Sequence, residues 1–232
     1  MPENFKATAI CTRVVDYREN DRLLELCSLE YGKLTAVARG AKKATAKLKF
    51  ATTPFCFGEY MLAGSNGKYI VCDCTEIESF SNISEDLDSY YIGFAMLELL
   101  SKTQINGHAN SDAMLAVVRS LKSICFDGVK PYAAFNECIL AVLNALGYNL
   151  DFSTCSSCGC MLDGEGVFTE ADGVLCAHCG ERFGIKIPQN TMKCLQNPLE
   201  CDENSARATN ILLRDIVYLI LNVKINSLNT AI

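Results

Sequence analysis

The sequence predicts an α+β multidomain protein, a small five-stranded β-barrel followed by an α-helical domain that a four-cysteine segment interrupts. Three observations carry that reading. Five short β-rich runs fall within the first 80 residues, separated by turn residues. From Asn82 onward the apolar residues recur at helical spacing instead. Within the helical part, Cys155-Ser-Ser-Cys158-Gly159 is answered by Cys176-Ala-His-Cys179-Gly180 after 17 residues.

The strand runs are Ala7 to Val15, Leu23 to Leu29, Leu34 to Arg39, Phe55 to Leu62 and Tyr69 to Ile77. Tyr31-Gly32-Lys33 leads into the third, and Ser65-Asn66-Gly67 joins the last two, Asn-Gly being a strong hairpin signal. The Leu23 run also fits a helical turn, because a short apolar run does not fix its own period. Five strands in a domain spanning residues 1–80 suit a closed barrel, of which the OB-fold is the commonest five-stranded form.

Helices fill the second domain, residues 81–232. Ser84 and Leu87 open the first, which runs to about Lys102 with Leu87, Tyr90, Tyr91, Phe94, Leu97 and Leu100 in register, until Asn106-Gly107 stops it. Ser111 and Asp112 cap a second, Ala113 to Cys125, and Asp127-Gly128 ends it. Pro131 begins a third, up to Leu146 and Gly147. Pro188 to Leu195 and a long helix from Ser205 to Lys224 complete the set. Their bulky residues lie on most faces, which calls for packing in one bundle rather than for a cofactor pocket.

Two C-x2-C pairs at this spacing read as a four-thiolate zinc site. Each turn supplies two sulfurs of a tetrahedron, and the glycine after each pair lets the backbone curl its N–H groups toward them. The expected ligands are Cys155, Cys158, Cys176 and Cys179, with Cys160 and His178 as bystanders. Four thiolates leave zinc no open position, so one structural Zn²⁺ is expected and no activated water. The segment, residues 153–183, has a glycine-rich spacer that suits two short ribbon-like hairpins. The other ten cysteines are scattered, mostly in apolar runs, as small core residues are. With no signal-peptide pattern and no apolar run long enough to cross a bilayer, a reducing cytoplasm is the expected location.

Net charge is −6, unevenly spread. Residues 1–50 hold ten Lys/Arg against six Asp/Glu, and the rest hold 11 against 21. Between Glu30 and Glu59 there is no acid, whereas Lys33, Arg39, Lys42, Lys43, Lys47 and Lys49 all fall there. Lysines beside aromatic residues (Tyr17, Tyr31, Phe50 and Phe55) on a small barrel are the means by which such folds track a single strand. Enzyme signatures are missing: no Walker-type loop, no H-E-x-x-H, no G-x-S-x-G and no deaminase H-x-E with P-C-x-x-C. Two histidines provision acid–base catalysis poorly, so the protein is expected not to be an enzyme.

The runs Ala9-Ile10-Cys11-Thr12-Arg13, Asp16-Tyr17-Arg18-Glu19-Asn20-Asp21-Arg22-Leu23-Leu24 and Tyr31-Gly32-Lys33-Leu34-Thr35-Ala36-Val37-Ala38-Arg39-Gly40-Ala41-Lys42-Lys43 resemble the N-terminal signature of the RecO family of bacterial recombination mediators. Phe168 and Gly173 to Cys179 resemble that family's zinc segment, and the order of parts matches along essentially the whole chain. The C-terminus, Ser227 to Ile232, departs from the family in lacking a basic tail. The resemblance implies a non-catalytic DNA-repair factor that binds single- and double-stranded DNA and anneals complementary strands. It implies help in loading recombinase onto strands coated with single-strand-binding protein, together with RecR. Arg13 and Arg22, inside the signature runs, then join the six cations above as DNA contacts. The family holds the acidic C-terminal tail of the single-strand-binding protein through its helical domain, for which Arg207, Arg214 and Lys224 are the candidates here. The rival readings are an RNA-binding barrel with a zinc ribbon, in translation or ribosome assembly, and a protein-interaction scaffold.

Overall fold

The structure, a computed structural model, describes residues 3–180 and 184–228. The first five strands are β1 (Glu3–Tyr17), β2 (Asp21–Ser28), β3 (Gly32–Ala38), β4 (Cys56–Ser65) and β5 (Lys68–Ser79). They close into a barrel of order β1-β2-β3-β5-β4, with β4 returning to pair with β1. The Leu23 run is a strand, held between β1 and β3 along nearly its whole length. Tertiary pairing settles what its period left open.

Period-two alternation sorts the barrel's residues. In β3, Leu34, Ala36 and Ala38 point inward, while Lys33, Thr35 and Val37 do not. Alanines 7, 9, 36, 38 and 51 leave room inside for Tyr60 and Leu62, and the buried Tyr60 hydroxyl donates to the Ala51 carbonyl at 3.1 Å. The β4–β5 turn has positive φ at both Asn66 (52°) and Gly67 (75°), as an Asn-Gly hairpin turn requires.

Helices α1 (Leu87–Thr103), α2 (Ser111–Phe126), α3 (Pro131–Ala145), α4 (Gln189–Gln196) and α5 (Glu203–Leu221) follow. The caps are Asp86, Asn110 and Asp202, each accepting a backbone N–H three residues on, so the first two helices start beside the residues expected. Helix α5 ends at Leu221, with Asn222 in the left-handed conformation, so Lys224 lies beyond it. Asn210 of α5 donates to the Tyr132 carbonyl at 3.0 Å, and Asn136 of α3 donates to the Ala206 carbonyl at 3.1 Å, a buried polar tie between the two helices.

Strands β6 (Gly166–Thr169), β7 (Gly173–Cys176) and β8 (Ile185–Ile187) form one three-stranded sheet, where two separate hairpins were expected. The third strand comes from beyond the second cysteine pair and closes against β6. Leu162, Phe168 and Leu175 of this segment, with Phe152 just before it, sit in the same apolar core as Val142, Met192 and Leu195 of the helices. Gln196 ties the two together, donating to the Phe152 and Leu162 carbonyls at 2.8 and 2.7 Å. Cys194 and Cys201, two of the ten scattered cysteines, are disulfide-bonded across the loop between α4 and α5. Ile10, Cys27 and Phe57 on the outside of the barrel belong to the helical core as well, so the barrel is docked on the bundle by its wall. No described helix is long and apolar enough to cross a membrane.

Candidate metal centre and nucleic-acid surface

Each cysteine pair sits on a turn closed by the same hydrogen bond. Gly159 N–H donates to the Cys155 carbonyl at 2.8 Å, and Gly180 N–H donates to the Cys176 carbonyl at 2.9 Å. Gly159 has φ of +73°, a conformation few side chains accept. The sulfurs of Cys155, Cys158, Cys160 and Cys176 lie within 4.8 Å of one another, and Cys158 and Cys176 are 3.9 Å apart. In a zinc tetrahedron with Zn–S of about 2.3 Å, sulfurs stand about 3.8 Å apart, so the donor set fits the metal.

Cys179 is not one of those four but lies next to them: the Cys176 and Cys158 sulfurs push its thiol up to about 12. Cys158 and Cys176 raise Cys160 to about 12 in the same way. Backbone N–H groups at Cys158 and Cys176 instead pull Cys155 down to about 6. The four convergent sulfurs thus include Cys160, which the sequence reading leaves as a bystander, and Cys179 stands next to that group rather than within it. Cys160 was set aside, and only its place two residues beyond Cys158 signalled otherwise. His178 is outside the group of convergent ligand atoms.

The eight basic candidates divide into two sets. Arg22 is turned into the barrel end, its guanidinium donating to the Thr52 carbonyl at 2.9 Å. Lys33 reaches Glu25 at 3.0 Å and the Ser101 hydroxyl at 3.0 Å, bridging barrel and α1. Lys42 pairs with Asp16 at 2.9 Å and holds that carboxyl below its usual range. Arg22 and Lys33 brace the fold, whereas Lys42 is exposed and its ion pair is a surface one. Arg13, Arg39, Lys43, Lys47 and Lys49 are exposed and have no ion-pair partner among the described residues.

Arg39 to Lys49 lie on the connection from β3 to β4, which is laced to the β1–β2 turn. Gly40 N–H donates to Asp21 at 2.8 Å and Lys42 N–H to the Asn20 carbonyl at 3.1 Å. Of the aromatic neighbours, Tyr17, Tyr31 and Phe50 are exposed, but Phe55 is buried against Phe94 of α1 at 4.8 Å and offers no face to a ligand. On α5, Arg207 is held by Asp88 and Glu203 and lies over the Tyr132 ring at 4.2 Å, while Arg214 bonds Asp215. Lys224 is exposed beside the Tyr218 ring, 5.5 Å away.

Comparison with known proteins places both halves of this arrangement. Residues 1–80 match the family described as recombination protein O, N terminal, and residues 84–221 match recombination protein O, C terminal. The chain belongs to the RecO family. Similar RecO-family proteins include the DNA repair protein RecO of Clostridium novyi, 29% identical over 79% of this chain and 72% of its own length. That of Desulfitobacterium hafniense is 31% identical over 75% of this chain and 64% of its own, and that of Listeria monocytogenes 29% over 82% and 75%. The boundary between the two family matches falls where the barrel gives way to α1.

Proposed function

We propose that this chain is a non-catalytic DNA repair and recombination factor of the cytoplasm, which binds single- and double-stranded DNA and anneals complementary strands. The observation that carries the reading is a set of exposed cations without acidic partners among the described residues, Arg39, Lys43, Lys47 and Lys49, on one connection of a closed barrel in a chain that is otherwise net negative. A local positive field of this kind attracts a polyanion despite the overall charge. It also screens two phosphate backbones from each other, while base pairing itself supplies the free energy of annealing. The same reading includes loading of recombinase onto strands coated with single-strand-binding protein, with RecR as partner. Lys224 beside Tyr218 is the best placed of the three candidates for that protein's acidic tail, since Arg207 and Arg214 already hold carboxylates.

The metal in this proposal is one zinc, held by the two matching turns through Cys155, Cys158, Cys176 and Cys179. Bound there it fixes the segment between α3 and α4 and supplies no chemical step. The test is annealing of complementary oligonucleotides by the purified chain without nucleotide, beside a competition of single-stranded DNA against RNA. Nucleotide-independent annealing with preference for DNA is expected. Strict ATP dependence, or preference for RNA, contradicts the proposal.

A further inference from the structure

The barrel has an incomplete seam. Strands β3 and β5 run parallel and pair only at Ala36–Tyr69 and Val37–Ile70. The first half of β3 therefore has β2 on one side and no barrel strand on the other. The α1–α2 connection covers its beginning: Lys33 N–H donates to the Ile105 carbonyl at 3.3 Å, and Gly107 N–H donates to the Tyr31 carbonyl at 3.1 Å. Between that connection and the β4–β5 hairpin opens a cavity of about 690 Å³. Sites for small molecules run to roughly 300–1,000 Å³.

Three aromatic rings line it. Phe5 packs edge-on against Tyr31 at 4.9 Å and against Tyr69 at 5.2 Å. Tyr31, on the β2–β3 turn, is 39% exposed. Asn4, Thr35 and Asn106 add amide and hydroxyl groups that donate and accept, and among the described residues no Asp or Glu lines the cavity. Its one lysine, Lys33, is already paired with Glu25. The pocket thus offers ring faces and neutral polar groups next to an acid-free stretch. A phosphate or an acidic peptide needs more free charge than this, and a purely apolar ligand leaves the amides unused. A nucleobase, flat and with a polar edge, uses both.

We infer that this pocket receives a nucleobase of the bound single strand, stacked on Tyr31 and bonded along its edge by the asparagines and Thr35. The inference rests on the DNA-binding reading above and assigns the bases a place distinct from that of the phosphates. Arg39 lies four residues along the chain from Thr35, about 13 Å at strand rise, so one strand can touch both.

The experiment compares binding of an oligodeoxythymidylate with binding of an abasic strand of equal length. Wild type is expected to prefer the strand with bases. Tyr31→Leu should weaken oligodeoxythymidylate binding on the order of tenfold, leave the abasic strand little changed and leave the salt dependence unaltered; Tyr31→Phe should restore binding. A folded Tyr31→Leu variant that keeps the wild-type preference for bases overturns the inference. A wild-type measurement stands beside it: a 2-aminopurine strand bound by the protein should show emission quenched by stacking, and unquenched emission counts against the pocket. Loss of salt-dependent binding on removing Arg39, Lys43, Lys47 and Lys49 reports on the phosphate surface alone. The two claims therefore fail separately.

Discussion

Lys33 shows how little a residue's type decides by itself. It stands in the acid-free run, yet its ammonium is spent on Glu25 and Ser101. Burial pushes the Glu25 carboxyl up, but the Ser101 hydroxyl, Lys33 and Thr12 outweigh that and hold it below its ordinary 4.5. A carboxyl depressed in the folded state stabilises at pH values above its unfolded value, and that contribution fades as pH falls through the folded one. Wild type should therefore lose more stability than Glu25→Gln between pH 6 and pH 4, as read by thermal melts. Equal losses would mean the pair contributes nothing. The cysteines give a second test at this scale. Cys155→Ser, Cys158→Ser, Cys176→Ser and Cys179→Ser should each release zinc, whereas Cys160→Ser should retain one per chain by metal analysis. Retention in Cys179→Ser with loss in Cys160→Ser would exchange those two roles, for which the place of Cys160 among the four convergent sulfurs leaves room.

At the scale of elements, the β2–β3 turn couples the two domains. Gly32 has φ of +66°, and a Cβ there would stand 2.4 Å from the Ile105 carbonyl oxygen and 2.6 Å from that of His108. Gly32→Ala should destabilise by about 1–3 kcal/mol from backbone strain alone, with displacement of the α1–α2 connection adding to it. A denaturant melt measures this, and an unchanged midpoint contradicts it. The strand runs and the helices with proline starts or glycine stops were legible because each signal is local: alternation, Asn66-Gly67, Pro131. Three features were not. Strand β8 is three residues long and exists only because β6 offers it an edge. The Cys194–Cys201 bond and the burial of Phe55 under α1 depend on how helices meet, which no periodicity encodes.

Across the whole molecule, two apolar cores, one inside the barrel and one among the helices, share the barrel wall, and the cysteine segment packs into the second. Removing zinc should therefore loosen the α3–α4 region rather than merely a surface knob. The charge asymmetry was plain in the sequence, but its division into partnered and unpartnered cations was not: Arg22, Lys33 and Lys42 find their partners only through the fold. The central claim is that the exposed set, Arg39, Lys43, Lys47 and Lys49, holds phosphates. Each such contact to a single strand contributes roughly 0.7 to the log–log dependence of affinity on salt. The most direct measurement is a salt titration of single-stranded DNA binding by the variant with all four replaced by Ala, with circular dichroism and zinc content as controls. The account predicts a folded, zinc-loaded variant with a slope shallower by roughly 3 and weaker binding to all sequences alike. A folded variant with the wild-type slope and affinity would contradict it.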